Sequence, residues 1–218
     1  MTVDMNSVSV SKATLSRLPG YLRYLRDKAS RGYANISSTL IADDLKLNPV
    51  QVRKDLAVIS SVSGKPKTGF SVEELIGDIE RFLGFDNATE AILVGAGQLG
   101  KTLLSYGGFA NYGLKIVAAF DSDPEKTDTV VNGKKVFSLD KLENLVKRMN
   151  IHIGVITVPK DSAQQVCDAM TAAGIKAIWN FAPVNLKVPD NVAVKNEDMA
   201  ASLALLSKKL SEIIENEK

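Results

Sequence analysis

The chain has 218 residues, 45% of them hydrophobic and 24% charged, which is enough for a substantial core in one or two domains. Its single cysteine, Cys167, excludes an intrachain disulfide, and with the single histidine, His152, it makes a poor nucleophile–base pair or metal site. The longest apolar runs are too short to span a membrane, and the start lacks a basic-then-apolar leader pattern. We therefore expect a cytoplasmic protein with no membrane partner and no metal.

Charge is distributed unevenly along the chain, although the net charge is only +2. From Lys12 to Lys67 there are 11 Lys and Arg against 4 Asp and Glu, a local net charge of +7. The remaining residues have 16 against 21, a net charge of −5. A basic front on an acidic body indicates that the front binds a polyanion, but charge alone does not identify which one.

Three helices are predicted in the basic region. Leucines spaced three or four residues apart predict a first helix with Thr14 as its N-cap, although Pro19 and Gly20 predict an irregular first turn. Ser37 or Ser38 is expected to cap a second helix, with Leu40, Ile41 and Leu45 buried. Asn48 followed by Pro49 predicts the start of a third helix, which ends near Ile59 and buries Val52 and Leu56.

Two short helices joined by a tight turn, with polar and basic residues early in the second, are typical of a helix-turn-helix. On this interpretation Gln51 and Arg53 reach base edges in the major groove, and Lys54 binds phosphate. The alternative is a small helical bundle with a solvated basic face. Lys65 and Lys67 favour DNA, because they lie in a glycine-flanked loop between Val62 and Phe70 that resembles a two-stranded wing.

A fourth helix and a domain boundary follow. Ser71 and Glu74 have the spacing of a capping box, which predicts a helix that closes the small domain. Gly84 and the polar residues after it mark the boundary with the next domain.

A glycine-rich turn begins the second domain. The apolar run Ala91–Val94 leads into Gly-x-Gly-x-x-Gly, with the glycines at positions 95, 97 and 100, and then into an amphipathic helix over 101–106. This context is typical of a dinucleotide-binding fingerprint, whose amides face a pyrophosphate. Asp121 ends the next apolar run at the distance expected for a carboxylate that binds ribose hydroxyls, with Asp123 as the competing candidate. A carboxylate there favours NAD over NADP.

Strands and helices then alternate as in a doubly wound parallel sheet. The run over 151–158 is predicted to be a strand whose carboxyl end, with Thr157 and Pro159, lies beside the ligand crevice, whereas His152 lies early in it and is expected to be structural. A helix over 161–173 and a strand that starts at Ala177 follow. The last helix, over 197–218, repeats apolar residues in a heptad pattern and is predicted to pack on a second copy of the chain, the alternative being a surface helix of the same chain.

The sequence resembles the family of redox-sensing transcriptional repressors called Rex, from about Lys12 to the C-terminus. The residues that support the resemblance are Leu15-Ser16-Arg17-Leu18-Pro19, Asn48 to Leu56, the fingerprint Gly95 to Gly100, Phe120-Asp121, Thr157-Val158-Pro159 and Asn180-Phe181-Ala182-Pro183. It implies an α/β protein in three parts: an N-terminal winged helix-turn-helix domain (1–84), a Rossmann doubly wound parallel sheet that binds NADH and NAD⁺ (85–196), and a C-terminal domain-swapped helix (197–218).

The resemblance also implies a function and its residues. A homodimer would bind double-stranded operator DNA, palindromic like the dimer, when NADH is low, and release it when NADH binds. The implied cofactor-binding residues are Gly95, Ala96, Gly97, Gln98, Leu99, Gly100, Tyr106, Asp121, Thr157, Val158, Pro159, Asn180 and Met199. The implied DNA-binding residues are Asn48, Gln51, Arg53, Lys54, Lys65 and Lys67. Arg17, Tyr106 and Asp198 of the partner subunit would form a polar network that rearranges when the nicotinamide changes.

This sequence departs from the family pattern at several positions, and two other functions compete. The differences from the usual residues are found at Gly20, in the stretch over 57–61, at the lysines of the wing and at Met199. They affect the expected operator preference and NADH/NAD⁺ response. An NAD-dependent oxidoreductase with an accessory basic domain is the main alternative, although no His, Lys or Tyr constellation for hydride transfer is evident. A Rossmann module that binds coenzyme A is the third possibility, and it would not need Asp121.

Overall fold

The computed structural model describes residues 10–60, 69–85 and 89–216. The chain divides into two compact units, one of residues 1–87 with 111–113 and the other of residues 88–110 with 114–218. The predicted boundary after residue 84 lies three residues before this division. The predicted third part, 197–218, is not separated from the second unit by its contacts.

The described part of the first unit contains four helices and a two-stranded antiparallel ribbon. Ile36 pairs with Phe70, so the end of the predicted wing pairs with the segment before the second helix. Val62, Lys65 and Lys67, the remainder of the predicted wing, lie outside the described residues. The elements are α1 Lys12–Ser30, β1 Asn35–Ile36, α2 Ser38–Leu45, α3 Pro49–Ile59, β2 Phe70–Ser71 and α4 Val72–Leu83.

Local capping signals determine where three of these helices begin, as the sequence predicts. The Ser37 hydroxyl accepts from the amide of Leu40 at 3.0 Å and starts α2. The Asn48 side chain accepts from the first amides of α3, with Pro49 as the first helical residue. The Ser71 hydroxyl accepts from the amide of Glu74 and starts α4. Each cap satisfies a backbone donor that has no partner inside its helix.

The predicted start of α1 was wrong. Ser11, not Thr14, is the N-cap, because the Ser11 hydroxyl accepts from the amide of Thr14 and the helix already includes Lys12. The irregular turn expected at Pro19 is absent, since α1 continues through Pro19 without a break. Pro19 removes one backbone donor, but fully buried leucines on both sides of it, including Leu18 and Leu22, hold the helix on the core.

The core of the first unit comes from one face of each helix. Leu18, Leu22 and Leu25 of α1 pack in one cluster with the α3 residues Val52, Leu56 and Ile59, and all six are buried. Leu15, which belongs to the same predicted leucine pattern, is 41% exposed. In α2 the burial is shifted from the prediction, since Ile41 and Ala42 are buried whereas Leu40 and Leu45 are only partly covered. Gln51, Arg53 and Lys54 of α3 therefore face outward, whereas Asp55 of the same helix is buried.

The second unit is built on a seven-stranded sheet. The elements are β3 Thr89–Val94, α5 Gln98–Ser105, β4 Leu114–Asp121, β5 Val130–Val131, β6 Lys134–Ser138, α6 Leu142–Met149, β7 Ile153–Ile156, α7 Lys160–Ala173, β8 Ala177–Asn180, β9 Ala193–Asn196 and α8 Met199–Asn216. The strand order is β5-β6-β4-β3-β7-β8-β9, and all strand pairs are parallel except β5 with β6. Alternate residues of β3 enter different clusters, Ile92 and Val94 in one and Ala91 and Leu93 in the other, as expected for a sheet covered on both faces.

Several boundaries differ from the prediction. Helix α5 begins at Gln98, directly after the glycine turn, and not at Lys101. Strand β7 covers Ile153–Ile156, less than the predicted run over 151–158, and the hydroxyl of Thr157 directly after it donates to the carbonyl oxygen of Gly95 at 2.8 Å. Strands β5 and β9 had no clear sequence signal. Among the described residues, no helix combines the length and apolar character needed to cross a bilayer.

Candidate dinucleotide site and DNA-binding helix

The glycine turn lies at the centre of the sheet, where β3 has β4 on one side and β7 on the other. Gly95 has a φ of +105°, and a Cβ atom there would lie 2.8 Å from the carbonyl carbon of Thr157. A Cβ atom on Gly100 would overlap the carbonyl oxygen of Gly95. These two glycines are therefore required by close backbone packing.

Gly97 differs from the other two glycines because nothing lies within 4 Å of its ideal Cβ position. It is also the N-cap of α5 and has no side chain to accept a hydrogen bond from the first amides of that helix. The start of α5 thus presents backbone donors and the positive end of a helix dipole beside an open space. This arrangement fits a pyrophosphate, which can approach only where a side chain is absent.

A cleft of about 760 Å³ opens at this edge of the sheet. Seven of the predicted cofactor residues line it, namely Gly95, Gly97, Leu99, Asp121, Thr157, Val158 and Pro159. Ala96, Gln98 and Gly100 belong to the same turn but do not line the cleft. Its position, at the carboxyl ends of β3, β4 and β7 where the strand order reverses, is the usual ligand site of an open α/β sheet.

Asp121 ends β4 and is held in the wall of the cleft. One carboxylate oxygen accepts from the amide of Ala96 at 2.7 Å, and the other accepts from the amide of Asp123 at 2.9 Å. The residue is only 7% exposed, and Lys126 lies 3.7 Å from it. The two hydrogen bonds thus fix the carboxylate against the glycine turn, and Asp121 lines the cleft.

Asp123, the competing candidate, is more exposed and is engaged elsewhere. Its carboxylate accepts from the amide of Glu125 and pairs with Lys126 at 3.1 Å, and these two interactions, in that order, lower its pKa. Both carboxylates line the cleft. The geometry favours Asp121 for ribose hydroxyls, since its carboxylate is fixed directly against the glycine turn.

Three predicted cofactor residues lie away from the cleft in the single chain. Asn180 is fully buried, and its amide group bonds to Val184, Asn196 and the backbone of Ala182, so it organises the loop after β8. Tyr106 is the C-cap of α5 and is 55% exposed, and Met199 is 76% exposed at the start of α8.

Sequence reasoning missed several cleft residues. Phe181, directly after Asn180, lines the cleft and packs its ring on Trp179 with centroids 4.8 Å apart. Its position at a strand end was the signal that could have identified it. The other residues not predicted at the site include Ser122, Lys126, Leu139, Ser162, Gln165, Val166 and Ala169. Four of these belong to α7, whose first turn follows Pro159.

In the first unit, the outward face of α3 presents Gln51, Arg53 and Lys54, all exposed. Asn48 lies at the start of this face, with its side chain engaged in capping the helix. A helix with polar and basic residues near its N-terminus, preceded by a second helix and a tight turn, has the form that enters a major groove.

Asp55 lies one helical turn after Gln51 in α3 and is only 1% exposed. Arg17 forms a two-pronged ion pair with it, at 2.7 Å from Nε and 2.9 Å from Nη2. Burial alone would raise the pKa of Asp55, but hydrogen bonds from Arg17, Gln51, Tyr21 and Thr14 lower it to about 2. For Tyr21, burial first and the contact with Asp55 second raise the pKa to about 12. The carboxylate of Asp55 is therefore charged, and the hydroxyl group of Tyr21 is neutral, at pH 7.

The members of the predicted switch network have separate surroundings in the single chain. Arg17 is paired with Asp55, and Asp198 accepts from the amide of Ala201 at 2.9 Å and so caps the start of α8. Tyr106 contacts Phe109 edge to face. Within the described ranges, no group of three or more His, Cys, Asp or Glu is arranged to hold a metal ion.

The fold and the two sites define a class of protein, in which a dinucleotide-type Rossmann domain is joined to a helix-turn-helix unit. The comparisons agree with both parts. A family model described as "CoA binding domain" matches residues 86–184, and one described as "Putative DNA-binding protein N-terminus" matches residues 9–57.

Relatives match over nearly the whole chain. It is 44% identical over 193 residues to the redox-sensing transcriptional repressor Rex of Treponema denticola, an alignment that covers 88% of this chain and 91% of that protein. It is 39% identical to the Rex protein of Bacteroides fragilis, with coverages of 94% and 93%.

Solved structures give the same result. A Rex-family repressor, RSP, has been solved in complex with β-NAD⁺ and operator DNA, and that structure matches with a TM-score of 0.89 at 34% identity, covering 97% of each chain. The complex of RSP with β-NADH matches with a TM-score of 0.85 at 34% identity, covering 97% of this chain and 100% of that one. The chain belongs to the Rex family of redox-sensing transcriptional repressors.

Proposed function

We propose that this chain is a DNA-binding repressor that senses the NADH/NAD⁺ state, binds operator DNA as a homodimer and releases it when NADH binds. The observation that carries the proposal is the match to RSP, which has been solved both with β-NAD⁺ and operator DNA and with β-NADH. Membership in a family of repressors also argues against the oxidoreductase alternative. The proposal implies a cytoplasmic protein, because a repressor acts where its operator DNA lies.

On the DNA side, helix α3 would carry the specificity. Arg53 and Gln51 would contact base edges in the major groove, and Lys54 would bind phosphate. Asn48 would contribute at the start of the helix, where its side chain holds the first turn in shape. Lys65 and Lys67 of the predicted wing would add phosphate contacts, which supply affinity without sequence information.

On the cofactor side, each wall of the cleft would have a separate role. Gly97 and the first amides of α5 would hold the pyrophosphate, and Asp121 would bind the ribose hydroxyls. Thr157, Val158 and Pro159 would close the cleft at the end of β7. NAD⁺ supplies a cationic nicotinamide ring and NADH a neutral one, so the two differ in the cost of transfer to an apolar surface.

The switch network remains part of this proposal. Arg17 and Tyr106 would act with Asp198 of the partner subunit, and the exposure of Tyr106 and Met199 in the single chain supports a site completed by a second copy. Because Arg17 is already paired with Asp55, the network requires Arg17 to share that carboxylate or to leave it. Ligands with different affinities for two such arrangements shift the balance between them.

Fluorescence anisotropy with a duplex that carries the RSP operator tests the function. We expect NADH to weaken binding at least tenfold, which corresponds to about 1.4 kcal/mol, and NAD⁺ to weaken it much less. Coenzyme A serves as the control ligand, because the second unit matches a CoA-binding model. A scrambled duplex reports non-specific binding. Operator binding that responds to neither nucleotide would refute the sensor, and turnover of NADH with a carbonyl substrate would favour the oxidoreductase.

A further inference from the structure

The Asp55 carboxylate collects hydrogen bonds from two helices. From α1 it accepts the Thr14 hydroxyl at 3.0 Å, the Arg17 guanidinium and the Tyr21 hydroxyl at 2.8 Å. From α3 it accepts the side-chain amide of Gln51 at 2.9 Å. A buried carboxylate with this many donors is fixed in position, because rotation would leave several polar groups without partners.

The contact with Gln51 determines which way the amide of that residue faces. A charged carboxylate only accepts hydrogen bonds, so Gln51 has to turn its NH₂ group toward Asp55. Its carbonyl oxygen then lies on the opposite side of the amide. Gln51 itself is exposed near the N-terminus of α3, one helical turn before the buried Asp55. A long flexible side chain on the outer face is thus oriented by a group inside the fold.

We infer that Asp55 is a positioning residue for sequence readout, because it orients Gln51 to offer a hydrogen-bond acceptor to DNA. The groups that such an acceptor recognises in the major groove are the exocyclic amino groups of adenine and cytosine. Preorganisation removes part of the rotamer entropy that a glutamine otherwise loses on binding. This inference rests on the proposed function, since it assumes that α3 enters the groove.

Binding of single-base variants of the RSP operator duplex tests the inference, with wild type, Gln51→Met, Asp55→Asn and the double variant. We expect the wild-type protein to bind duplexes with adenine or cytosine at one position of each half-site about tenfold more tightly than duplexes with other bases there. The preferred base shows which of the two amino groups is recognised. Gln51→Met should lose this preference and leave the preferences at other positions. Asp55→Asn should lose it as well, and the double variant should show no further loss at that position.

Tyr21→Phe is the matched control. It removes one hydrogen bond to Asp55 but leaves the contact with Gln51, so a lower stability with an unchanged base preference is expected. A purely structural role of Asp55 would instead weaken all duplexes alike. A folded Asp55→Asn variant with the wild-type preference at every position would overturn the inference.

A measurement on the wild-type protein covers the case in which Asp55→Asn does not fold. The side-chain NH₂ signals of Gln51, assigned in a proton–nitrogen NMR spectrum by their absence from Gln51→Met, should be protected from hydrogen exchange. Unprotected signals would refute the inference. If wild type binds none of the duplexes, the proposed function fails, whereas binding without a Gln51-dependent base preference contradicts only the role given to Asp55.

Discussion

At the scale of single residues, the buried ion pair between Asp55 and Arg17 connects α1 to α3. Taking a carboxylate out of water is unfavourable, and the attraction to one cation roughly offsets that cost. Three further donors, on Thr14, Tyr21 and Gln51, satisfy the remaining lone pairs. Replacement of Asp55 by asparagine is therefore expected to destabilise the first unit, because one of the two acceptor oxygens becomes an NH₂ group that faces other donors.

The pKa of Asp55 predicts a specific dependence of stability on pH. A carboxyl group whose pKa is lower in the folded state, about 2 against an ordinary 3.8, stabilises the fold above its ordinary pKa. That contribution, about 2 kcal/mol, is lost as pH falls from about 4 to about 2. Urea unfolding should show that the difference in the free energy of unfolding between wild type and Asp55→Asn narrows by this amount over that pH range. Asp43→Asn, at an exposed position of α2, is the control, and a pH-independent difference would contradict the prediction.

At the scale of elements, the turn from β3 to α5 combines two demands on glycine. Gly95 and Gly100 allow the backbone to pack against itself and against Thr157. Gly97 meets nothing in the protein, so its lack of a side chain matters only to what binds there. Under the proposed function, the same sequence pattern thus contains positions needed for folding and one needed for the ligand.

Alanine substitutions separate these two demands. Gly97→Ala, at a φ of −73° with open space around it, should change stability by less than about 0.5 kcal/mol and weaken NADH binding at least about tenfold. Gly100→Ala should destabilise the second unit by about 1–3 kcal/mol, because its Cβ atom overlaps the Gly95 carbonyl oxygen. Thermal unfolding and NADH titration measure the two effects. Normal NADH affinity in Gly97→Ala would show that the pyrophosphate does not bind beside Gly97.

At the scale of the whole molecule, helix α8 leaves its apolar side chains exposed in the single chain. Its 18 residues have no buried side chain in the single chain. Met199, Leu203, Leu206, Leu210 and Ile213, spaced four and three residues apart, are between 54% and 76% exposed. A seam of this kind gains stability when it packs on another apolar surface, which supports the predicted homodimer.

Two charges placed in this seam should dissociate the dimer. Burial of a leucine contributes about 1.5–3 kcal/mol, so Leu206→Glu with Leu210→Glu should raise the dissociation constant more than about a hundredfold. Lys208→Glu introduces the same charge on the opposite side of α8 and should leave the dimer intact. Sedimentation velocity distinguishes monomer from dimer. A wild-type chain that is monomeric at micromolar concentration would contradict the predicted role of the helix.

Features that depend on neighbouring residues were predictable from the sequence alone. The caps Ser37, Asn48 and Ser71, the glycine turn and the apolar stripe of α3 all depend on residues within a few positions of one another. Local hydrogen bonds and helical periodicity determine such features, so the amino-acid order is sufficient. The charge asymmetry and the carboxylate at Asp121 also needed only the sequence, because their meaning lies in spacing along the chain.

Only the tertiary structure decided the features that join distant residues. Thr14 and Asp55 are 41 positions apart, so the sequence assigned Thr14 to a cap although its hydroxyl bonds to the carboxylate inside the fold. Asn180 is buried and bonds within its own loop, whereas its neighbour Phe181 lines the cleft, because the turn after β8 directs the two side chains differently. Such outcomes depend on which elements pack together, and a hydrogen bond between distant residues has no periodic signal in the sequence.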